Sequence, residues 1–244
     1  MVASRRTLTL LSWTLVILAI VSAVVSLLFV SGFLLPPHFD ADFVDRLIAD
    51  RTSDQQAFPF VLVGSLATFG IYLVVAMLGL VLRAWAMPSP ARDVMTLLLV
   101  VGGIVGIVGQ LANLGVSDAA RPFYCDCGYR AEEVIGLFKA LEVGWTIAAW
   151  LGLGALALVG LGAAVTGRVI RVSAGWRNLS TVIAIVLLVG VLLRVVGSLV
   201  FVEAFDPFQM SDLIVALTVG VLVPIWAVLL ARGVSEPDSE TVAN

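Results

Sequence analysis

LSTVIAIVLLVGVLLRVVGSLVFV, Leu179–Val202, is 24 residues long with Arg194 its one formal charge. As an α-helix rising about 1.5 Å per residue it would reach about 36 Å, enough to cross the roughly 30 Å of hydrocarbon in a bilayer. Five more runs read the same way: Leu8–Leu35, Phe58–Leu82, Val94–Val116, Val143–Val165 and Met210–Ala231. Hydrophobic residues make up 61% of the 244 positions, and the mean hydropathy is +1.10. No soluble core of this size hides so much apolar surface. Lipid offers no partners to the backbone, so each crossing segment must satisfy its own amides. The runs far exceed the roughly 9–11 alternating residues of a barrel strand, which leaves helices. The expected fold is all-α: a bundle of six transmembrane helices over residues 1–233, followed by a disordered, acidic tail at 234–244.

The connections carry the charges, and unevenly. Arg5, Arg6, Arg83, Arg92, Arg168, Arg171, Arg177 and Arg232 fall at the N-terminus, in the second and fourth connections and at the C-terminus. The other connections are acidic, with Asp40, Asp42, Asp45, Asp50 and Asp54 in the first, Asp118, Asp126, Glu132 and Glu133 in the third, and Glu203 and Asp206 in the fifth. By the positive-inside rule both termini are cytoplasmic. The near-exclusive use of Arg, with Lys139 alone, suggests a GC-rich bacterium, hence a multi-pass protein of the inner membrane. Arg5-Arg6 imitates a twin-arginine signal, but the apolar run behind it is too long for a signal peptide and reads as an uncleaved first helix.

Local signals refine this outline. Pro36-Pro37 ends the first run, and Asp40 or Asp42 is placed to cap a short amphipathic helix through Arg51. Asn178 is expected to cap the fifth helix, and Pro224 to kink the sixth by leaving the Gly220 carbonyl without its amide. Trp13, Trp85, Trp176 and Trp226 at the inner ends, with Trp145 and Trp150 at the outer, read as an interfacial aromatic belt. Gly102, Gly106 and Gly109, and Gly144, Ala148 and Gly152, form stripes of small residues for close helix approach.

The chemistry-bearing residues are few. No Ser/His/Asp set, phosphate loop or metal-ligand cluster is legible, His38 is the lone histidine, and neither catalytic residues nor a cofactor nor a nucleic-acid partner is expected. Cys125 and Cys127 share the third, outer connection, where disulfides are permitted. A bridge between them would be tight and easily reduced, and thiol exchange, soft-metal capture or a bond to another chain are the alternatives. Arg194 is the charge deepest in a span, so it should face the bundle and meet partners. Glu142 is the first choice, Asp212 the alternative acid, and Gln110 and Asn113 lie at similar depth, with Ser65 and Thr68 able to line the same space. The cluster is either a structural ion pair or a site for a small molecule or ion entering from the outer face.

From Val143 to Gly233, the small-residue-rich helix, the connection Arg171-Val-Ser-Ala-Gly-Trp-Arg177 and the ending Val223-Pro-Ile-Trp-Ala-Val-Leu-Leu-Ala-Arg-Gly233 resemble uncharacterised six-helix bacterial integral membrane proteins. That resemblance implies a helix bundle and brings no assigned activity. The expected role is a membrane binding or transport module with an outer-facing polar pocket, more a non-enzyme than an enzyme. An accessory subunit packing on a membrane-protein partner, and a thiol redox protein using Cys125 and Cys127, are the alternatives.

Overall fold

The computed structural model describes residues 5–30, 43–120, 131–170, 172–199 and 207–233, and every regular element among them is helical. In chain order these are α1 (Arg5–Val30), α2 (Phe43–Trp85), α3 (Pro90–Ala120), α4 (Ala131–Val169), α5 (Ala174–Leu199), α6 (Pro207–Leu217), a π-helical turn (Thr218–Leu222) and α7 (Val223–Gly233). Six stretches are long and apolar enough to cross a membrane, the last formed by α6, the π turn and α7 together. Cys125, Cys127 and the tail from residue 234 lie outside the described residues.

Each helix packs on its neighbours in sequence, and α1 closes against α6, the π turn and α7. Among the described residues no pair across this ring packs to a comparable extent. The spans therefore run alternately up and down around a common axis. In a six-membered ring the centre is as far from each helix as the neighbours are from one another, about 8–10 Å, so only inward side chains fill the axis. They fill one end well. Leu8 at the start of α1, Leu82 near the end of α2, Met95 near the start of α3, Trp176 near the start of α5 and Leu230 near the end of α7 are all fully buried. We call this the near end, which carries the start of α1, and the opposite one the far end.

Local chemistry sets the element boundaries. Ser89 opens α3, its hydroxyl accepting the Arg92 amide at 3.2 Å, with Pro90 in the first helical position where its missing N–H costs nothing. Asp93 in that first turn meets Arg83 of α2 at 3.2 Å, joining the two helices at the near end. At α5 the expected cap is displaced: Ser173, not Asn178, accepts the Trp176 amide at 3.1 Å, and the helix starts at Ala174. The earlier start carries Trp176 into the bundle. The short helix expected before the second span is likewise not separate, since α2 is continuous over 43 residues with Pro59 inside it. At about 1.5 Å per residue α2 reaches about 65 Å, well beyond the roughly 40–45 Å of a whole bilayer.

The expected break at Pro224 takes the form of the π turn just before it, in which the Val223 amide reaches back five residues to the Thr218 carbonyl. A proline has no amide for the carbonyl four residues earlier and its ring crowds that carbonyl. Shifting register over one turn accommodates both faults. The glycines of α3 serve two neighbours and not one. A Cβ on Gly102 or Gly109 would press on Leu158, Val159 or Leu151 of α4, whereas one on Gly103 or Gly106 would strike Ala76 or the Tyr72 ring of α2.

Candidate functional site

The well-packed near end gives way along the axis to a cavity of about 440 Å³ whose walls include residues from all six spans. Its polar lining has a direction. Ser22 and Ser26 lie late in α1, Thr68 in the first half of the second span, Gln110 late in α3, Arg194 late in α5, and Ser211 and Asp212 early in α6. In alternating helices all of these positions belong to the far half. Toward the near end the walls are Leu78, Leu99, Ala163, Ile183, Leu187 and Trp226.

Arg194 and Asp212 pair across α5 and α6, with Arg194 Nη1 3.2 Å from Oδ1 and 3.3 Å from Oδ2 of the carboxylate. The Asp212 side chain is 58% exposed and that of Arg194 27%, so the acid stands at the mouth and the guanidinium behind it. Of the two acids expected to meet Arg194, Asp212 is thus in contact. Glu142 lies on α4, and its side chain is outside the described residues. Gln110 lines the cavity with the pair.

Asn113 takes a neighbouring place. Its Nδ2 donates to Ser65 Oγ at 3.3 Å, and both line a niche of about 220 Å³ between α1, α2 and α3. Gln110, Thr68 and Ser26 border this niche and the main cavity alike. The Thr68 hydroxyl donates to the Gly64 carbonyl at 2.9 Å, which leaves its oxygen to accept from Ser22 at 2.9 Å. Ser211 donates to the Gly190 carbonyl at 2.9 Å. These hydroxyls are held by the protein itself, as buried polar groups in lipid must be. Ser22, Ser26 and Ser211 were not singled out from sequence, because a serine in an apolar helix carries no sign of the side it faces.

The floor corrects the aromatic belt. Trp176 and Trp226 are buried, stacked with centroids 5.3 Å apart and planes at 24°. Trp176 Nε1 donates to the Trp226 carbonyl at 3.1 Å, Trp226 Nε1 to Ser180 Oγ at 2.8 Å, and Ser180 Oγ to the Trp176 carbonyl at 2.9 Å. Both indole N–H groups are consumed within this knot, so Trp226 offers the cavity carbon alone. Trp13 and Trp150, by contrast, are about half exposed on the outside of the bundle, as belt residues should be. The chain matches no protein-family model, no curated protein and no solved structure.

Proposed function

We propose that the protein is a multi-pass binding module of a bacterial inner membrane, with both termini cytoplasmic, whose central cavity receives a small molecule from the outer face. The observation that carries this reading is the cavity itself, walled by all six spans, with its polar side chains gathered toward the far end and Tyr72 at mid-span. Its size falls within the roughly 300–1,000 Å³ of ligand pockets, and a mostly apolar wall with a few converging polar groups is their usual composition. The arginine excess at the near end supports a cytoplasmic near end, and with it an Arg194–Asp212 mouth that faces outward. Transport would use the same cavity with a second opening. The accessory-subunit alternative calls for small residues left on the outside: Gly102, Gly103, Gly106, Gly109 and Gly144 are covered by α2, α3 or α4, while Gly115, Gly136 and Gly154 are exposed with open space around them.

The test is chemical access from water. With Cys125 and Cys127 replaced by Ser, Gln110→Cys should react with a membrane-impermeant thiol reagent added to intact cells, while Val189→Cys, on the outside of the bundle, should not. Reaction of Gln110→Cys only after the reagent is admitted to the cytoplasm would overturn the orientation, and no reaction from either side would overturn the open cavity.

A further inference from the structure

We infer that the cavity's ligand is a single-chain amphiphile with a zwitterionic head, held head-outward at Arg194 and Asp212 with its tail directed to Trp226; this rests on the cavity being a binding site. The first ground is length. Arg194 to Ile183 on α5 is 11 residues, about 16 Å of axis, and Asp212 to Trp226 is 14, about 20 Å. One leaflet of a bilayer is about 15 Å of hydrocarbon, the reach of one acyl chain. The slot has the depth of a chain, and Asp212 at its mouth stands two residues inside the start of the sixth span.

The second ground is what the floor refuses. Both indole N–H groups are already donated, to the Trp226 carbonyl and to Ser180 Oγ, and Ile183, Leu187 and Trp226 around them present only carbon. A polar group carried to that depth would lose its water with no partner in exchange. The inner portion of the ligand is therefore hydrocarbon to its end.

The third ground is charge. Arg194 and Asp212 sum to zero and lie in contact. A simple anion drawn to the guanidinium meets the carboxylate about 3 Å away, and a simple cation meets the reverse, so neither gains much. A head bearing both signs can set its cation by the more exposed Asp212 and its anion by Arg194, keeping each group opposite its complement.

The probe is palmitoyl lysophosphatidylcholine with a photoreactive diazirine in its tail, added to the full chain in nanodiscs of diacyl phosphatidylcholine. Peptide mapping should find adducts on cavity residues such as Leu153, Leu187 and Val219. Unlabelled lysophosphatidylcholine should compete, while lysophosphatidylglycerol of the same chain and glycerophosphocholine without a chain should each be at least about tenfold weaker. Gly152→Leu adds a side chain to the cavity wall at a point where nothing lies within 4 Å of a Cβ, and should abolish the cavity adducts. Asp212→Asn should bring the anionic competitor level with or ahead of the zwitterionic one. Adducts confined to outward residues such as Leu192, adducts that survive Gly152→Leu, or equal competition by lysophosphatidylglycerol in the unaltered chain would each overturn the inference. The Gln110→Cys reaction decides the underlying cavity separately, because it needs no lipid to bind.

Discussion

Ser180→Ala tests whether the knot at the cavity floor holds the near end together. The hydroxyl is fully buried and is the acceptor for Trp226 Nε1 at 2.8 Å. A Cβ on Gly167 would lie 2.7 Å from that of Ser180, so α4 and α5 meet there without room for a water to stand in for the lost oxygen. Stranding a buried donor costs about 1–3 kcal/mol. In membrane proteins the unfolded state also finds partners, and measured side-chain pairs average about 0.6 and reach about 1.7 kcal/mol. With water excluded, the upper part applies, and about 1.5 kcal/mol is expected. Trp226→Phe removes the donor along with part of a ring, at about 1–2 kcal/mol, less than the roughly 3–5 kcal/mol of truncation to Ala. In the double variant no N–H is left stranded, so its cost should match Trp226→Phe alone within about 0.5 kcal/mol. Unfolding in mixed micelles of rising SDS fraction, followed by far-ultraviolet circular dichroism, measures all three. Additive costs, or a Ser180→Ala variant as stable as the parent, would refute the assignment of this hydrogen bond as the one that closes the floor.

Two further outcomes follow from the packing and the charge pattern. Gly106→Ala should destabilise the protein by about 1–3 kcal/mol, because its methyl would enter the Tyr72 ring, whereas Gly152→Ala should be neutral within about 0.5 kcal/mol in the same unfolding assay. A cysteine replacing Ser89, at the near-end turn between α2 and α3, should stay shielded from an impermeant thiol reagent in intact cells lacking Cys125 and Cys127; labelling there would place the near end outside.

The six crossings were legible because apolar length is a property of the chain read in one dimension. The Arg194 cluster was legible in part for the same reason: a charge inside a span is conspicuous, and depth brings Gln110 and Asp212 to its level. What depth does not give is rotation. Distance from a helix end puts Glu142 ahead of Asp212, whereas it is the facing of α5 on α6 that brings Asp212 to the guanidinium; the Glu142 side chain lies outside the described residues. The continuity of α2 was missed because charged residues before Phe58 read as a separate surface helix, although nothing between Arg51 and Phe58 stops helical propagation.

The deeper reason is that lipid erases the pattern by which a water-soluble helix shows its inner face. In water a buried stripe is apolar and the rest polar. Here Ile183 is buried at 3% exposure and Ile185, two residues on, is 56% exposed, yet both are isoleucine because both sides of α5 are greasy. Without a hydrophobic difference between core and surroundings, packing and hydrogen bonds decide the facing. Their marks are small residues and isolated hydroxyls. Gly167 beside Ser180, Gly106 beside Tyr72 and Ser211 bonded to the Gly190 carbonyl are such marks, each joining two adjacent helices of the ring. Spacing along one helix is not enough by itself: Thr9 precedes Trp13 and Thr146 precedes Trp150 by one turn, as Ser180 follows Trp176 by one, yet Trp13 and Trp150 face outward; it is the packing of α5 against α7 that brings the Trp226 indole to Ser180 and buries both rings.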